Sequence, residues 1–114
     1  MMKTATVSLA TGETFFDLVR RLSPGFDVGN SRYAKRALIV SDTVRLHAAR
    51  VTIVRSVSVE QVRGDRGRLH LDIAVTAPVA TEKALLAWEK RRARRVLAEL
   101  ATVNRVKSGP ELAA

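Results

Sequence analysis

The sequence predicts an α+β domain, an antiparallel sheet of about four strands with two helices packed on one face. Residues 51–77 alternate apolar and polar side chains with the period of two that is typical of a half-buried sheet. From Pro78 onward, apolar side chains recur at helical spacing instead. With a short strand and a helix expected near the N-terminus, the predicted order is β-α-β-β-β-α, with a long basic C-terminal helix.

Length and composition predict one domain, spanning residues 1–114. Hydrophobic residues make up 46% and charged residues 27% of the chain, as in ordinary globular proteins. The absence of cysteine excludes disulfides and cysteine-based zinc sites. No apolar run approaches the ~18 residues of a membrane span, and the first 13 residues lack the apolar core of a secretion signal. We therefore expect a cytoplasmic protein.

The N-terminal third is expected to hold one strand and one helix. Residues 3–10 alternate well enough for a strand. Apolar residues in 13–22 have near-helical spacing, and Ser23-Pro24-Gly25 follows them as a stop signal, so a helix is preferred to a second hairpin strand over 13–20. Residues 23–36 are expected to form a loop.

Three further strands are expected before the last helix. Residues 37–40 and 43–48 read as strand material interrupted at Ser41–Asp42, where a bulge or bend would fit. In the hairpin over 51–77, the alternate apolar residues of both strands must face the same side of the sheet. This requirement excludes a loop of even length. A three-residue loop, 65–67, with Gly67 in the left-handed region, meets this requirement. It places Val59 opposite Ile73.

The last helix is expected to run from Pro78 to about Val106, closed by Gly109–Pro110. A step of 100° per residue gathers its apolar side chains into one stripe, which we expect to face the core: Leu85, Leu86, Ala93, Val96, Leu97, Leu100 and Val103. Cations occupy the opposite arc: Lys90, Arg91, Arg94, Arg95 and Arg105. Glu99 is expected to pair with Arg95 and Glu89 with Arg92, which would offset part of the repulsion between neighbouring cations.

The net charge of +9 and the pI near 11.3 indicate a polyanionic partner. A surface shaped by solubility alone would intersperse both signs, whereas phosphates would offset the repulsion between neighbouring cations. GC-rich codon usage, which enriches arginine, alanine and valine, is an alternative source of the same charge. Because the apolar stripe is committed to the core, no membrane partner is expected.

Two other basic segments are candidate phosphate contacts. In residues 30–36, Tyr33 lies among the cations Arg32, Lys35 and Arg36, a combination that single-stranded bases use for stacking. The hairpin tip carries a second arginine group, which would extend the track of the helix: Arg63, Arg66 and Arg68.

Signals for catalysis are weak. The expected register places Glu60 opposite Asp72, with His70 on the same face, a set that could bind a divalent metal or transfer protons. Neighbouring arginines would also neutralise these carboxylates without any chemistry. Arg55 interrupts the apolar side of its strand, which a bulge, a subunit contact or a sheet edge would explain. Because phosphate-cradling and hydrolase motifs are absent, we expect no enzyme, no metal site and no cofactor.

The predicted order strand–helix–three strands–basic helix resembles that of the ribosome-hibernation factors, and its last four elements are similar to double-stranded-RNA-binding domains. These resemblances imply RNA contacts from a helix and from sheet edges. The small cysteine-free coat proteins of single-stranded RNA phages also combine an antiparallel sheet with C-terminal helices. That resemblance implies a self-assembling subunit with an N-terminal hairpin in place of the first helix.

The expected function is therefore non-enzymatic nucleic-acid binding, with RNA favoured over DNA and little sequence preference. The alternative is a self-assembling structural subunit, such as a virion coat or shell protein, with its basic surface facing a genome or an acidic partner. Arg55 and the long strands, which need an edge partner, favour that alternative. A homo-oligomer is compatible with both, and the alternative would place the protein in a virion.

Overall fold

The computed structural model describes residues 2–23 and 36–113, with side chains described as far as Ala101. One antiparallel sheet contains four strands: β1 (Met2–Thr14), β2 (Arg36–Leu46), β3 (Val51–Gln61) and β4 (Arg66–Thr76). Their order across the sheet is β1-β4-β3-β2. Two α-helices complete the fold: α1 (Phe15–Leu22) and α2 (Val79–Ala113). The predicted α+β class and element order are confirmed.

Helix α1 begins directly where β1 ends. The side chain of Thr14 caps its N-terminus by accepting a hydrogen bond from the backbone N–H of Asp17 at 3.2 Å. Phe15, Leu18 and Val19 are buried, so one side of this short helix belongs to the core. The helix is confirmed. The hairpin alternative for residues 13–20, which the resemblance to phage coat proteins requires, is wrong.

The β3–β4 hairpin has the expected loop length at a different position. The loop residues are 63–65, where Gly64 has φ 77° and Asp65 has φ 61°. Three residues keep both apolar sets on one face, as the alternation requires. The predicted register is wrong by four positions, because Val59 lies opposite Leu69 rather than Ile73.

Gly67 explains why the turn is displaced. This glycine lies in β4 rather than in a left-handed turn, and a Cβ added to it would stand 2.8 Å from Cδ2 of Leu18. The missing side chain lets α1 approach the sheet closely. Gly64 is the glycine that meets the turn's need for a positive φ.

Strand β2 runs unbroken through Ser41–Asp42, so the expected interruption there is wrong. The irregularity lies between Leu38 and Val40 instead. The extra residue, Ile39, is half-buried against the core. Asp42 keeps its place in the ladder, opposite Arg55.

Helix α2 lies over β1 and β4. Ala93 and Leu97 are buried, and the other described members of the predicted stripe are half-buried against the core. That inner side is confirmed as far as the side chains are described, which leaves out Val103. The expected end at Gly109–Pro110 is wrong because the helix runs to Ala113.

Both helices pack on the same face of the sheet, which we call the apolar face. Its core residues come from alternate positions of the central strands: Val51, Ile53, Val57, Val59, Leu69, Leu71, Ile73 and Val75. The intervening positions point to the opposite side and are largely polar. We call that side the polar face.

Candidate nucleic-acid interface

Two glutamates of α2 point inward at the sheet. Glu82 is 3% exposed and Glu89 is 1% exposed. The Nε of Arg55 donates to one carboxylate oxygen of Glu89 at 2.5 Å, and its Nη2 donates to the other at 3.0 Å. This pair raises the pKa of Arg55 above its ordinary value, since the hydrogen bond to Glu89 favours the charged form. The ion pair therefore joins the inner side of α2 to the middle of β3.

The ion pair changes two expectations. Arg55 lies on an interior strand without a bulge, so neither a bulge nor a sheet edge explains it. Its partners lie within the chain, on α2 and at Asp42, whose carboxylate is 3.6 Å from Nη1. The expected pair between Glu89 and Arg92 is wrong, because Glu89 is directed at Arg55.

Because Glu82 and Glu89 point inward, the outer side of α2 carries mainly cations. Arg91, Arg94 and Arg95 are exposed and Lys90 is half-buried. We call these four residues the cationic ridge. Within the part of the chain whose side chains are described, none of the four forms an ion pair. Of the three glutamates between residues 79 and 101, two point inward and Glu99 alone is exposed.

Like charges repeat along this ridge at helical spacing. Lys90 and Arg94 are four residues apart, as are Arg91 and Arg95. Each such pair costs a few tenths of a kcal/mol in an isolated helix. Since Glu89 points inward, it does not offset this repulsion. An anionic ligand bound to the ridge would therefore reduce the electrostatic repulsion between these cations.

The hairpin tip holds the second arginine group. Arg63, Arg66 and Arg68 are all exposed. The guanidinium of Arg66 donates to the backbone carbonyl of Gly12, which ties the tip to the end of β1. Arg68 lies opposite Glu60 in the ladder and belongs to the polar face.

Arg36 also belongs to the polar face, where it has structural partners. Its Nε donates to the hydroxyl of Ser58 at 2.9 Å, and its Nη2 donates to the carboxylate of Asp72 at 3.0 Å. The side chain is 47% exposed. Arg36 therefore links β2 across β3 to β4.

The candidate cations do not form one continuous track. The ridge lies on the helix that covers the apolar face, whereas Arg36 and Arg68 project from the polar face. Arg63 lies at the hairpin tip between the two sides. A ligand lying along the ridge would reach Arg36 or Arg68 only by bending around an edge of the sheet. Arg32, Tyr33 and Lys35 lie outside the described residues, as does the side chain of Arg105.

The predicted set of Glu60, Asp72 and His70 takes a different form. Asp72 lies opposite Ser56 rather than Glu60. His70 Nε2 is 2.7 Å from Oε1 of Glu60, and its Nδ1 is 2.6 Å from the hydroxyl of Ser8. The bond from His70 lowers the pKa of Glu60. No cluster of three or more metal-ligating side chains is found among the described residues.

Sequence reasoning missed Ser8 and the inward direction of Glu82 and Glu89. Ser8 lies opposite His70 through the pairing of β1 with β4, for which the sequence predicted no register. The glutamates gave a clearer signal, because the 100° step puts both of them in the middle of the apolar stripe.

No family model matches the sequence, and no curated protein matches it. In the described part of the chain, no helix has the length and apolarity needed to cross a membrane.

Proposed function

We propose that this protein binds nucleic acid through the cationic ridge of α2, with RNA preferred to DNA, and that it catalyses no reaction. The single observation that carries the proposal is the inward direction of Glu82 and Glu89, which leaves like charges side by side on the outer surface. Phosphates bound there would replace repulsion with attraction and release counterions.

The proposed contacts are to the phosphate backbone, so sequence preference should be small. The ridge residues Lys90, Arg91, Arg94 and Arg95 make the primary contacts. Arg63 at the hairpin tip is a second contact for a ligand long enough to leave the helix. Arg36 and Arg68 would contact only a ligand that wraps to the polar face. We propose a cytoplasmic location for this activity.

Fluorescence anisotropy with a labelled 16-base-pair RNA duplex, a DNA duplex of the same sequence and a single strand tests the proposal. We expect the RNA duplex to bind most tightly and the affinity to fall as salt is raised. Tighter binding of the DNA duplex would overturn the preference for RNA. Absence of binding to all three at low salt would overturn the function itself.

A self-assembling structural subunit remains the second candidate. The outer edges of β1 and β2 support it, because these strands have 13 and 11 residues and, within the described residues, no strand pairs with them there. Arg55 no longer supports it, since its partners lie within the chain. Size-exclusion chromatography with light scattering distinguishes the candidates: a large closed assembly favours a shell or virion subunit, and a monomer or dimer contradicts it.

A further inference from the structure

The outer edge of β2 contains a regular stretch of strand. The ladder between β2 and β3 runs without interruption from Val40 to Leu46. The irregularity after Leu38 precedes this stretch, and a short 3-10 helix, His47–Ala49, follows it. Within the described residues, no strand pairs with the outer side of β2. The backbone N–H and C=O groups that point outward there are therefore available to a further strand.

This stretch lacks the features that protect sheet edges. Natural edge strands are protected by proline, by lysine or by irregularities of the ladder. Residues 40–46 contain no proline, no glycine and no lysine. Val40 and Leu46 lie on the apolar face, and each is 52% exposed. A strand paired with β2 would cover part of both side chains, so this edge favours a partner strand.

The outer edge of β1 is less suited to a second copy of the chain. Its ladder with β4 is irregular between Ala10 and Thr14. Arg94 of the cationic ridge lies beside this strand, where it lines a cleft together with Val7. Two copies joined through β1 would bring their cationic ridges towards each other, and the like charges would repel. Of the two edges, β2 is therefore the one that favours self-association.

A second copy fits the edge of β2 best in one register. Directly opposite residues of an antiparallel pair share a face of the sheet. A two-fold axis at Thr43 pairs residues 40–46 of both copies and places Val40 opposite Leu46. An axis at Asp42 would place two carboxylates directly opposite each other, which is unfavourable. An axis at Val44 would pair only residues 42–46. The axis at Thr43 is therefore the expected one.

The charges of β2 are compatible with this register. Asp42 would face Val44 of the second copy, with its carboxylate still 3.6 Å from Nη1 of Arg55. Arg45 would face Ser41 on the polar face. The strands β2 and β3 of both copies would separate the two α2 helices, which lie over β1 and β4. Because this separation exceeds the Debye length at physiological salt, the ridges would repel each other only weakly.

We propose that two copies of this protein pair antiparallel through β2 and form one eight-stranded sheet, with the two-fold axis at Thr43. Backbone hydrogen bonds provide the affinity, and the contact between Val40 and Leu46 fixes the register. The edge of seven residues is a small interface, so the dimer should dissociate on dilution. The proposal does not rest on nucleic-acid binding, which uses the outer side of α2.

Disulfide trapping tests the register, because the chain contains no cysteine. Thr43 and Ser41 are both exposed on the polar face. Thr43→Cys would place two thiols directly opposite each other, with Cβ atoms about 5 Å apart. Ser41→Cys would place them about 14 Å apart along the strands, too far for a disulfide. After mild oxidation of nuclease-treated protein, we expect at least tenfold more covalent dimer from Thr43→Cys.

A mixture of two single variants checks the same register at a second position. Ser41→Cys and Arg45→Cys should each form little covalent dimer alone, because each residue lies four positions from its own copy. Mixed together, they should form the crosslinked heterodimer, since Ser41 faces Arg45 across the axis. Thr4→Cys, which is exposed on β1, is the control for contact through the other edge.

Charged substitutions at Val40 and Leu46 test the pairing without a crosslink. Val40→Lys/Leu46→Glu places opposite charges face to face across the axis, whereas Val40→Lys/Leu46→Lys and Val40→Glu/Leu46→Glu place like charges there. In sedimentation equilibrium, both like-charge variants should dimerise about tenfold more weakly than the opposite-charge variant. The like-charge variants change the net charge in opposite directions, so a loss in both excludes an effect of net charge. Circular dichroism checks that all three fold.

Four results would overturn the proposal. A monomer at every concentration of the unmodified chain would exclude the dimer, whether or not the protein binds RNA. Equal crosslinking of Thr43→Cys and Ser41→Cys would exclude the register. Crosslinking of Thr4→Cys in place of Thr43→Cys would move the contact to β1. Equal dimerisation of the three charged variants would show that Val40 does not face Leu46.

Discussion

Arg55 and Glu89 join the sheet to its covering helix through two parallel hydrogen bonds of 2.5 and 3.0 Å. Glu89 is almost fully buried, and the side chain of Arg55 is 16% exposed. The pair holds one charge of α2 against the core. The same geometry withdraws a negative charge from the outer side of the helix, where the cationic ridge lies.

Removing one partner of this ion pair should destabilise the protein more than removing both partners. Glu89→Leu leaves the half-buried Arg55 with only the exposed Asp42 beside it, and should lower the free energy of unfolding by about 3 kcal/mol. The double variant Arg55→Leu/Glu89→Leu should have a free energy of unfolding within about 1 kcal/mol of that of the unmodified chain, or a higher one. Urea denaturation measures both.

Glu82→Leu is the matched control for Glu89→Leu. Glu82 is also buried on the inner side of α2, but its nearest cation is Lys3 at 3.8 Å, and its Oε2 has no hydrogen-bond partner. Its replacement should change stability by less than about 1 kcal/mol. A cost equal to that of Glu89→Leu would contradict a special role for the pair with Arg55.

Gly67 and Gly12 should respond differently to a larger side chain. A Cβ at Gly67 would stand 2.8 Å from Leu18 and 3.4 Å from the backbone of Phe15, whereas a Cβ at Gly12 would meet nothing within 4 Å. Gly67→Val should therefore cost about 1–3 kcal/mol by displacing α1 from the sheet. Gly12→Val should have little effect. Thermal unfolding of both variants tests the contrast, and equal melting temperatures would refute it.

The hydrogen bond from His70 should be visible in the titration of Glu60. Because the folded pKa of Glu60 is lowered, the resulting stability is present above the ordinary glutamate pKa and is lost as the pH falls through the lowered value. Carbon-detected NMR should find the Glu60 carboxyl titrating below its ordinary range. In His70→Phe, which has no N–H to donate, it should return towards that range. An unchanged pKa in the variant would show that His70 is not the cause.

Alternation and helical spacing predicted the four strands, both helices and the inner side of α2, because each depends on local sequence alone. The hairpin turn was misplaced because Gly64 and Gly67 both fit a three-residue loop. Only the packing of α1 on the sheet shows which glycine is needed in the strand. The ion pair was within reach of the sequence, since Arg55 and Glu89 each interrupt an apolar surface and carry opposite charges.

The faces of the basic residues on the sheet were only partly predictable. Arg68 lies on the polar face because it alternates with Leu69 in β4. Arg36 lies there because the irregularity between Leu38 and Val40 shifts the alternation of β2, and the sequence placed that irregularity elsewhere. Helical spacing directs the ridge cations outward and Glu82 and Glu89 inward, so Glu99 is the exposed glutamate in the part of α2 whose side chains are described.

The salt dependence of RNA binding tests the central claim most directly. Two doubly substituted proteins carry the same net charge: Arg91→Ala/Arg95→Ala on the ridge, and Arg20→Ala/Arg45→Ala, which removes exposed arginines of α1 and β2. If the ridge contacts phosphates, the slope of log affinity against log salt should decrease in magnitude by up to about 2 for the ridge variant. The other variant should keep its slope. Equal slopes in the two variants would show that the charge of the whole protein, and not the ridge, attracts the nucleic acid.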